Sequence, residues 1–306
     1  MASIGKISYH CCMIEQSIIN NFKVYAIISP DGQTKASFVP EKGGVGCSII
    51  MPWQDKPREL LYLHDNFWEN DKLDLAGGWP FLFPICGRLD SSGGYNLPIH
   101  GFAPYLPWEV LQDSQEDQLS IQLTDTKETL KIYPYKFKVQ LTYKVANNKL
   151  ICEQIYTNLG DKPMPYYAGF HPYFLTPDKQ NTILNFQPIK RLKYNEKLTE
   201  IIGEQEALKF PTSIANPEIN EQLHEIEENS LIALQYPDGF KLSMQAFDEN
   251  HLFRYLQLYT MKDKPFFCIE PWMSYPGALN TERGARILSP YCSETSKLVV
   301  VNLPDG

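Results

Sequence analysis

Apolar and polar residues alternate along much of this chain, a pattern typical of β-strands with one buried face. The longest alternation covers residues 137–145, where aromatic or aliphatic residues hold the odd positions and lysine, glutamine or threonine the even ones. The segment 146–149 reads Ala-Asn-Asn-Lys, which is typical of a turn, and 150–157 is predicted to return as the partner strand. Together these segments predict an antiparallel hairpin.

A second hairpin is predicted over 231–236 and 240–245. Its turn contains Pro237, which presets φ, and Gly239, which accepts a positive φ without steric cost. Further strands are predicted over 119–124, 182–186, 255–260, 266–270 and 297–303.

Helices are expected to be few and short, because 23 prolines and 18 glycines interrupt most windows that could hold three turns. One short helix is predicted over 217–223, with Asn216 as its N-cap and Pro217 in its first turn, and another near 69–75. The chain shows neither a fixed-period repeat nor a linker that would separate two domains. We therefore expect a single all-β domain over 1–306, built as a large antiparallel β-sandwich.

Net charge indicates which partners are not expected, and cysteine content indicates the cellular compartment. The formal net charge is -8 and the pI is about 5.3, so no basic surplus is present to bind nucleic-acid phosphates or an anionic membrane. No stretch approaches the roughly 20 apolar residues needed to span a bilayer, and the first ten residues lack the features of a signal peptide. Seven scattered cysteines are typical of free thiols in a reducing compartment. We expect a cytoplasmic protein with no nucleic-acid or membrane partner.

His171 is the first candidate for chemistry. It lies in the segment Gly-Phe-His-Pro-Tyr-Phe, 169–174, after a predicted strand. Gly169 removes side-chain bulk, and Pro172 interrupts a simple strand ladder, so His171 is placed to face a cleft from a strand end. Its ordinary pKa of about 6.5 suits proton transfer at neutral pH. The alternative is a core histidine satisfied by a backbone carbonyl.

Glu270 follows an apolar run in Pro-Phe-Phe-Cys-Ile-Glu-Pro-Trp, 265–272. A carboxylate in such a run is costly to bury without a partner, so an ordinary surface position is not expected. Neighbouring aromatic side chains should raise its pKa and make it a stronger base, while Pro271 is expected to end the strand. The alternative is an edge-strand glutamate paired with an arginine.

Arg88 and His100 are candidates for holding a polar ligand. A planar guanidinium can bind two vicinal hydroxyls or a carboxylate, and His100, beside Gly101, could reach a hydroxyl or a ring oxygen. Either residue taken alone could equally be structural. Aromatic walls beside fixed donors suit a sugar ring, whose faces are apolar and whose rim carries hydroxyls.

Other chemistries find less support in the sequence. The glycines of 43–46 are predicted to form a turn, because the lysine of a phosphate loop is absent. No Cys-x-x-Cys or His-x-x-x-His pair is present, so neither a structural zinc nor any other metal or cofactor is expected. Cys268 is expected to be inert packing in a strand. A glycosidase would need a second acid in a setting comparable to that of Glu270.

Four of these segments, in this order, resemble the aldose 1-epimerase (mutarotase) family of galactose mutarotase-like β-sandwiches. They are 77–88, 97–103, 169–174 and 269–281, and the segments 38–44 and 60–62 look like the opening strands of that family. The resemblance covers most of the chain. Any one segment is weak evidence for this family, whereas the four segments in this order are strong evidence for it.

The resemblance implies roles for the candidate residues. Glu270 would be the general base, His171 the general acid, and Arg88 and His100 would hold the sugar. The implied reaction interconverts the α and β anomers of a free aldohexose without metal or nucleotide, and Glu270 is expected to set the acid limb of a bell-shaped pH profile. The acidic residue that some relatives place against sugar hydroxyls has no clean match, although the window around 223–224 is a candidate.

Three rival functions remain open. A hexose 6-phosphate substrate would need a basic pocket; relatives commonly carry arginine where Pro104 stands here, and Lys56 and Arg58 are possible substitutes. A sugar-binding protein without turnover would keep the cleft alone. A polysaccharide lyase or glycosidase would need a longer cleft and a further acid or a tyrosine base.

Overall fold

The computed structural model describes residues 13–69, 77–111, 118–247 and 251–302. Strands dominate this part of the chain, and its two α-helices are single turns, Thr129–Ile132 (α1) and Ala278–Thr281 (α2). Three short 3-10 turns cover Ser91–Gly93, Ala103–Tyr105 and Pro217–Ile219. The strands are Met13–Ile19 (β1), Phe22–Ile28 (β2), Lys35–Val39 (β3), Val45–Trp53 (β4), Lys56–Glu59 (β5), Phe81–Leu82 (β6), Glu109–Val110 (β7), Gln118–Thr124 (β8), Phe137–Ala146 (β9), Lys149–Asn158 (β10), Met164–Tyr166 (β11), Gly169–Phe170 (β12), Tyr173–Leu175 (β13), Ile183–Asn185 (β14), Pro188–Tyr194 (β15), Ile201–Gln205 (β16), Thr212–Ser213 (β17), Gln222–Ile226 (β18), Ile232–Gln235 (β19), Lys241–Phe247 (β20), Tyr255–Tyr259 (β21), Phe266–Trp272 (β22), Arg286–Leu288 (β23) and Ser293–Asn302 (β24).

Two large antiparallel sheets form the body of the fold, which confirms the predicted all-β sandwich. One sheet has nine strands in the order β17-β14-β19-β20-β24-β10-β9-β8-β7. The other has eight strands, in the order β16-β15-β18-β21-β22-β12-β6, with β13 pairing separately with β22. A five-stranded sheet, β1 to β5, and the pair β11-β23 complete the architecture.

Both predicted hairpins are confirmed. Strands β9 and β10 pair from Ala146 opposite Lys149 to Phe137 opposite Asn158. In β9 the odd positions are buried and the even ones half-exposed, as their alternation predicts. Strands β19 and β20 enclose the second turn, where Gly239 has a φ of +87°.

The predicted helix at 217–223 is wrong in length but right in its start. The Asn216 side chain accepts a hydrogen bond from the Glu218 backbone N–H at 3.0 Å, as an N-cap does. Only one 3-10 turn follows, because the chain enters β18 at Gln222 and pairs with β15 and β21. Of the other predicted helix, 69–75, only Glu69 belongs to the described residues.

Aromatic side chains fill the space between the sheets. The core includes fully buried rings from both large sheets and from the connections between them, among them Trp79, Phe83, Phe137, Tyr156 and Phe170. Many of these rings meet edge to face, an arrangement that aromatic quadrupoles favour. Within the described residues, no helix is both long and apolar enough to cross a membrane.

Candidate active site

A cavity of about 260 Å³ opens over one face of the eight-stranded sheet, and all four predicted site residues line it. Its size suits one sugar ring rather than a long chain. The residues that line it are Gly87, Arg88, Ile99, His100, Tyr105, His171, Tyr173, Tyr194, Leu198, Glu221, Gln257, Tyr259, Glu270, Trp272 and Pro276.

Strand register places His171 and Glu270 opposite each other. Gly169 pairs with Trp272 and Tyr173 pairs with Cys268, so β12 and β13 pair with β22 in the same antiparallel register. In that register residue 171 faces residue 270, and cross-strand partners point to the same side of a sheet. The His171 Nε2 atom lies 3.4 Å from the Glu270 Oε1 atom.

Glu270 lies inside a strand, not at its end. Strand β22 continues through Pro271 to Trp272 and pairs with β21, where Gln257 is opposite Glu270. The expectation that Pro271 ends the strand is therefore wrong. On the side of β22 away from β21, the ladder is already interrupted between β12 and β13. The backbone N–H that Pro271 lacks is therefore tolerated there. Glu270 is only 1% exposed.

Burial controls the electrostatics of Glu270. It raises the pKa of the carboxyl well above its usual range; the Trp272 indole N–H opposes that rise, and the negative charge of Glu221 adds to it. The predicted direction of the shift is confirmed, and its cause is the loss of solvation that comes with a nearly closed environment.

His171 lies in the gap between β12 and β13. Its backbone N–H donates to the Pro80 carbonyl at 3.0 Å, and its ring stacks on Tyr173 with centroids 4.6 Å apart. Burial lowers the pKa of His171 to about 3. Because burial disfavours both the imidazolium and the carboxylate, the His171–Glu270 pair shares one proton over a wide pH range.

Gly169 allows the close packing behind His171. A Cβ atom at this position would lie 2.7 Å from the Cys86 Sγ atom and 2.7 Å from a ring carbon of Trp272. These contacts are too short for any side chain, so the space that glycine leaves determines how near β12 approaches β22.

His100 presents a fixed donor to the cavity. Its Nδ1 atom accepts a hydrogen bond from the Gly87 backbone N–H at 3.0 Å, and its own backbone N–H donates to the Gly87 carbonyl at 2.7 Å. Burial lowers the pKa of His100, so the ring is neutral and carries its proton on Nε2. The ring lies edge-on to His171, with centroids 5.1 Å apart.

Arg88 is an exposed cation at the rim of the cavity, one residue beyond Gly87. Among the residues that the structure describes, no carboxylate forms an ion pair with it. Its five N–H donors are therefore available to a ligand.

Sequence patterns do not identify two further residues of the lining, Glu221 and Gln257. Glu221 lies directly before β18 with a φ of +54°, two residues before the 223–224 window that was a candidate for an acidic residue. His224 of that window lies in the core instead, edge-on to both the Phe186 and the Phe210 ring. The signal that could have found Glu221 is an exposed acid directly before a strand.

Gln257 is held in one orientation. The Tyr194 hydroxyl donates to its Oε1 atom at 2.7 Å, and its amide nitrogen donates to the Leu258 carbonyl at 3.3 Å, which leaves the second N–H of the amide as a donor. Gln257 is opposite Glu270 on the neighbouring strand, so the two side chains share the face that carries the cavity.

Lys56 and Arg58 do not contribute to the cavity. Arg58 contacts Asp238 and lies over the rings of Tyr236 and Phe240, at 4.3 and 4.4 Å from their centroids. Arg58 therefore belongs to the packing of β5 against the β19–β20 hairpin, Lys56 is exposed on β5, and neither replaces a phosphate-binding arginine at the site.

Comparison with known proteins agrees with this geometry. The family model described as aldose 1-epimerase matches residues 31–291, so the chain belongs to that family. A protein of Escherichia coli strain K12 named "Putative glucose-6-phosphate 1-epimerase" is 29% identical over 157 residues, which are 50% of this chain and 49% of that protein. The chain thus matches about half the length of this curated relative.

Solved structures share the whole fold. A protein of Synechocystis sp. PCC 6803 is 26% identical, with a TM-score of 0.75 over 99% of this chain and 100% of that chain. A galactose mutarotase-like protein of Clostridium acetobutylicum is 21% identical, with a TM-score of 0.80 over 95% of this chain and 99% of that chain. The predicted galactose mutarotase-like sandwich is confirmed.

Proposed function

We propose that this protein is an aldose 1-epimerase that interconverts the α and β anomers of a free aldohexose, with His171 and Glu270 as its acid–base pair. The observation that carries the proposal is the 3.4 Å approach of the His171 Nε2 atom to Glu270, inside a cavity of sugar size. A single acid and a single base flanking one hemiacetal carbon are sufficient for this reaction.

The proposed reaction begins with the ionised form of the pair, which proton transfer between the two side chains produces. Glu270 removes the proton of the C1 hydroxyl while His171 donates its proton to the ring oxygen. The C1–O5 bond breaks, and the electrons of the O–H bond form the C1=O double bond of the open aldehyde. Rotation about C1–C2 presents the other face, and the reverse transfers close the ring and restore the pair.

Three further residues are proposed to hold the sugar. His100 would donate from Nε2, and Arg88 would bind two neighbouring hydroxyls with its guanidinium. Glu221, which also lines the cavity, would accept hydrogen bonds from hydroxyls. The aromatic side chains of the lining, including Tyr173 and Trp272, would pack on the apolar face of the ring.

A hexose 6-phosphate is the second candidate substrate. The name of the Escherichia coli relative and the exposed guanidinium of Arg88 favour it. Against it, Arg88 is the one lysine or arginine in the lining, which also contains two carboxyl groups, Glu221 and Glu270. Because Glu270 shares a proton with His171, the charges of Arg88 and Glu221 cancel and leave no positive surplus for a phosphate dianion, so a neutral aldose is the better fit.

Polarimetry tests the proposal. Freshly dissolved α-glucose and α-galactose should reach anomeric equilibrium faster with the protein, and Glu270→Gln and His171→Asn should remove the acceleration while both variants stay folded. Acceleration confined to α-glucose 6-phosphate would support the second candidate. Sugar binding without exchange would establish a binding protein, and cleavage of oligosaccharides would establish a lyase or glycosidase.

A further inference from the structure

Three side chains that can bind metals meet beneath the cavity: the imidazole of His171, the thiol of Cys268 and the carboxyl of Glu270. Their ligand atoms all lie within 4.8 Å of one another, and all three residues are buried. Cys268 and Glu270 are two residues apart in β22, so they share one face of the sheet, and His171 reaches them from the neighbouring strand. Spacing along the sequence could not reveal this cluster.

The donor set and its dimensions suit a zinc ion. Zinc binds nitrogen, sulfur and carboxylate oxygen at about 2.0–2.3 Å, which puts the ligand atoms of a tetrahedral site roughly 3.3–3.8 Å apart. The His171–Glu270 separation of 3.4 Å already meets this requirement. The longest separation must contract by about 1 Å, which rotation of the Cys268 or Glu270 side chain can supply. Magnesium and calcium would prefer oxygen ligands alone.

Charge balance also favours a divalent cation. A thiolate and a carboxylate neutralise the two positive charges of the ion, and a neutral imidazole completes the set, so the buried cluster has no net charge. The positive charge of Lys179, which interacts with Cys268, opposes the binding of a cation. Its ammonium group already donates to the Thr260 hydroxyl at 2.7 Å and to the Met261 carbonyl at 2.6 Å.

We propose that His171, Cys268 and Glu270 form an inhibitory site for Zn²⁺, with the remaining coordination position directed toward the cavity. Binding itself rests on the geometry of the three ligands. Inhibition rests on the proposed function, because the metal would occupy both groups that transfer protons and so stop ring opening.

Cobalt(II) is a direct probe, since a thiolate bound to it produces a near-ultraviolet charge-transfer band. The background protein would carry Cys11→Ser, Cys12→Ser and Cys292→Ser, which removes the exposed thiol and the two thiols outside the described residues. We expect one equivalent of Co²⁺ to produce the band and one equivalent of Zn²⁺ to remove it.

Three variants on that background locate the site. Cys268→Ser should abolish the band, whereas Cys86→Ser should keep it, although Cys86 is also buried and also close enough to sense the charge of Glu270. His171→Asn should keep a thiolate band but weaken Co²⁺ binding at least about tenfold. Thermal melting of each variant establishes that it is folded. Absence of the band in the background protein, its survival in Cys268→Ser, or unchanged affinity in His171→Asn would overturn the proposal.

Anomer exchange then separates the metal site from the proposed function. Zn²⁺ should inhibit exchange, and the concentration for half-inhibition should rise at least about tenfold in Cys268→Ser, with each variant referred to its own metal-free rate. A cobalt band in a protein that exchanges no anomers would uphold the metal site and reject the proposed function. Exchange that Zn²⁺ leaves unaffected, despite metal binding, would reject inhibition.

Discussion

His171 and Glu270 occupy opposite positions on neighbouring antiparallel strands, and their Nε2 and Oε1 atoms are 3.4 Å apart. The pairing frame of the sheet fixes this relationship, so neither side chain needs a flexible loop to reach the other. Strand scaffolds hold functional groups more precisely than loops do, which suits a reaction that needs two proton transfers at one carbon.

Replacing Glu270 by glutamine should lower kcat for anomer exchange by roughly 10²–10⁴-fold, since the amide cannot accept the C1 proton. His171→Asn should cause a loss of similar size. His224→Asn is the matched control, because His224 is buried like His171 but lies in the core, away from the cavity. Polarimetric progress curves provide the rates. Equal losses in all three variants would show general destabilisation rather than acid–base roles.

The pH profile should be broad. Burial lowers the pKa of His171 to about 3, so the pair takes up a second proton only in strong acid. Burial raises the pKa of Glu270 well above the usual carboxyl range, so the shared proton is kept at a pH where an exposed glutamate has lost it. In buffer with EDTA, kcat/KM at pH 5 should stay within about twofold of its value at pH 7. This assigns the acid limb of the pH profile to His171, whereas the sequence-based expectation assigned it to Glu270. An acid limb with its midpoint near the ordinary histidine pKa would contradict this assignment.

Gly169→Ala should destabilise the fold by roughly 1–3 kcal/mol, because its Cβ atom would collide with Cys86 and Trp272. Urea unfolding would measure the change in the free energy of unfolding. Gly203→Ala is the control, since a Cβ atom there would have no neighbour within 4 Å. Equal stability of the two variants would show that β12 can move away from β22 at little cost.

Arg88→Met should raise KM for a neutral aldose by about tenfold, because two hydrogen bonds to hydroxyls are lost. Arg88→Lys should recover only part of this, since an ammonium group cannot donate to two hydroxyls in the same fork geometry. Initial rates over a range of sugar concentrations would separate KM from kcat. If lysine restores the full affinity, charge rather than planar hydrogen bonding is the property that matters.

Local patterns predicted much of the fold and four of the six charged, histidine or amide side chains that line the cavity. The alternation in 137–145 identified β9, and the segments around His171 and Glu270 contained enough glycine, proline and aromatic residues to mark a cleft. Glu221 and Gln257 were missed, since they reach the cavity only through the pairing of β18 with β21 and of β21 with β22. The error at Pro271 has the same origin, because a proline is tolerated inside a strand when the neighbouring ladder is already broken.

The cavity is assembled from two kinds of support. His171, Gln257 and Glu270 belong to, or lie directly between, paired strands, whereas Arg88 and Leu198 belong to the connecting segments at the rim. Under the proposed function, insertions or substitutions in those connections can therefore change which hydroxyl pattern is accepted without displacing the proposed proton-transfer pair. Related proteins can therefore differ in the sugar that they bind while they keep the same proposed proton-transfer residues.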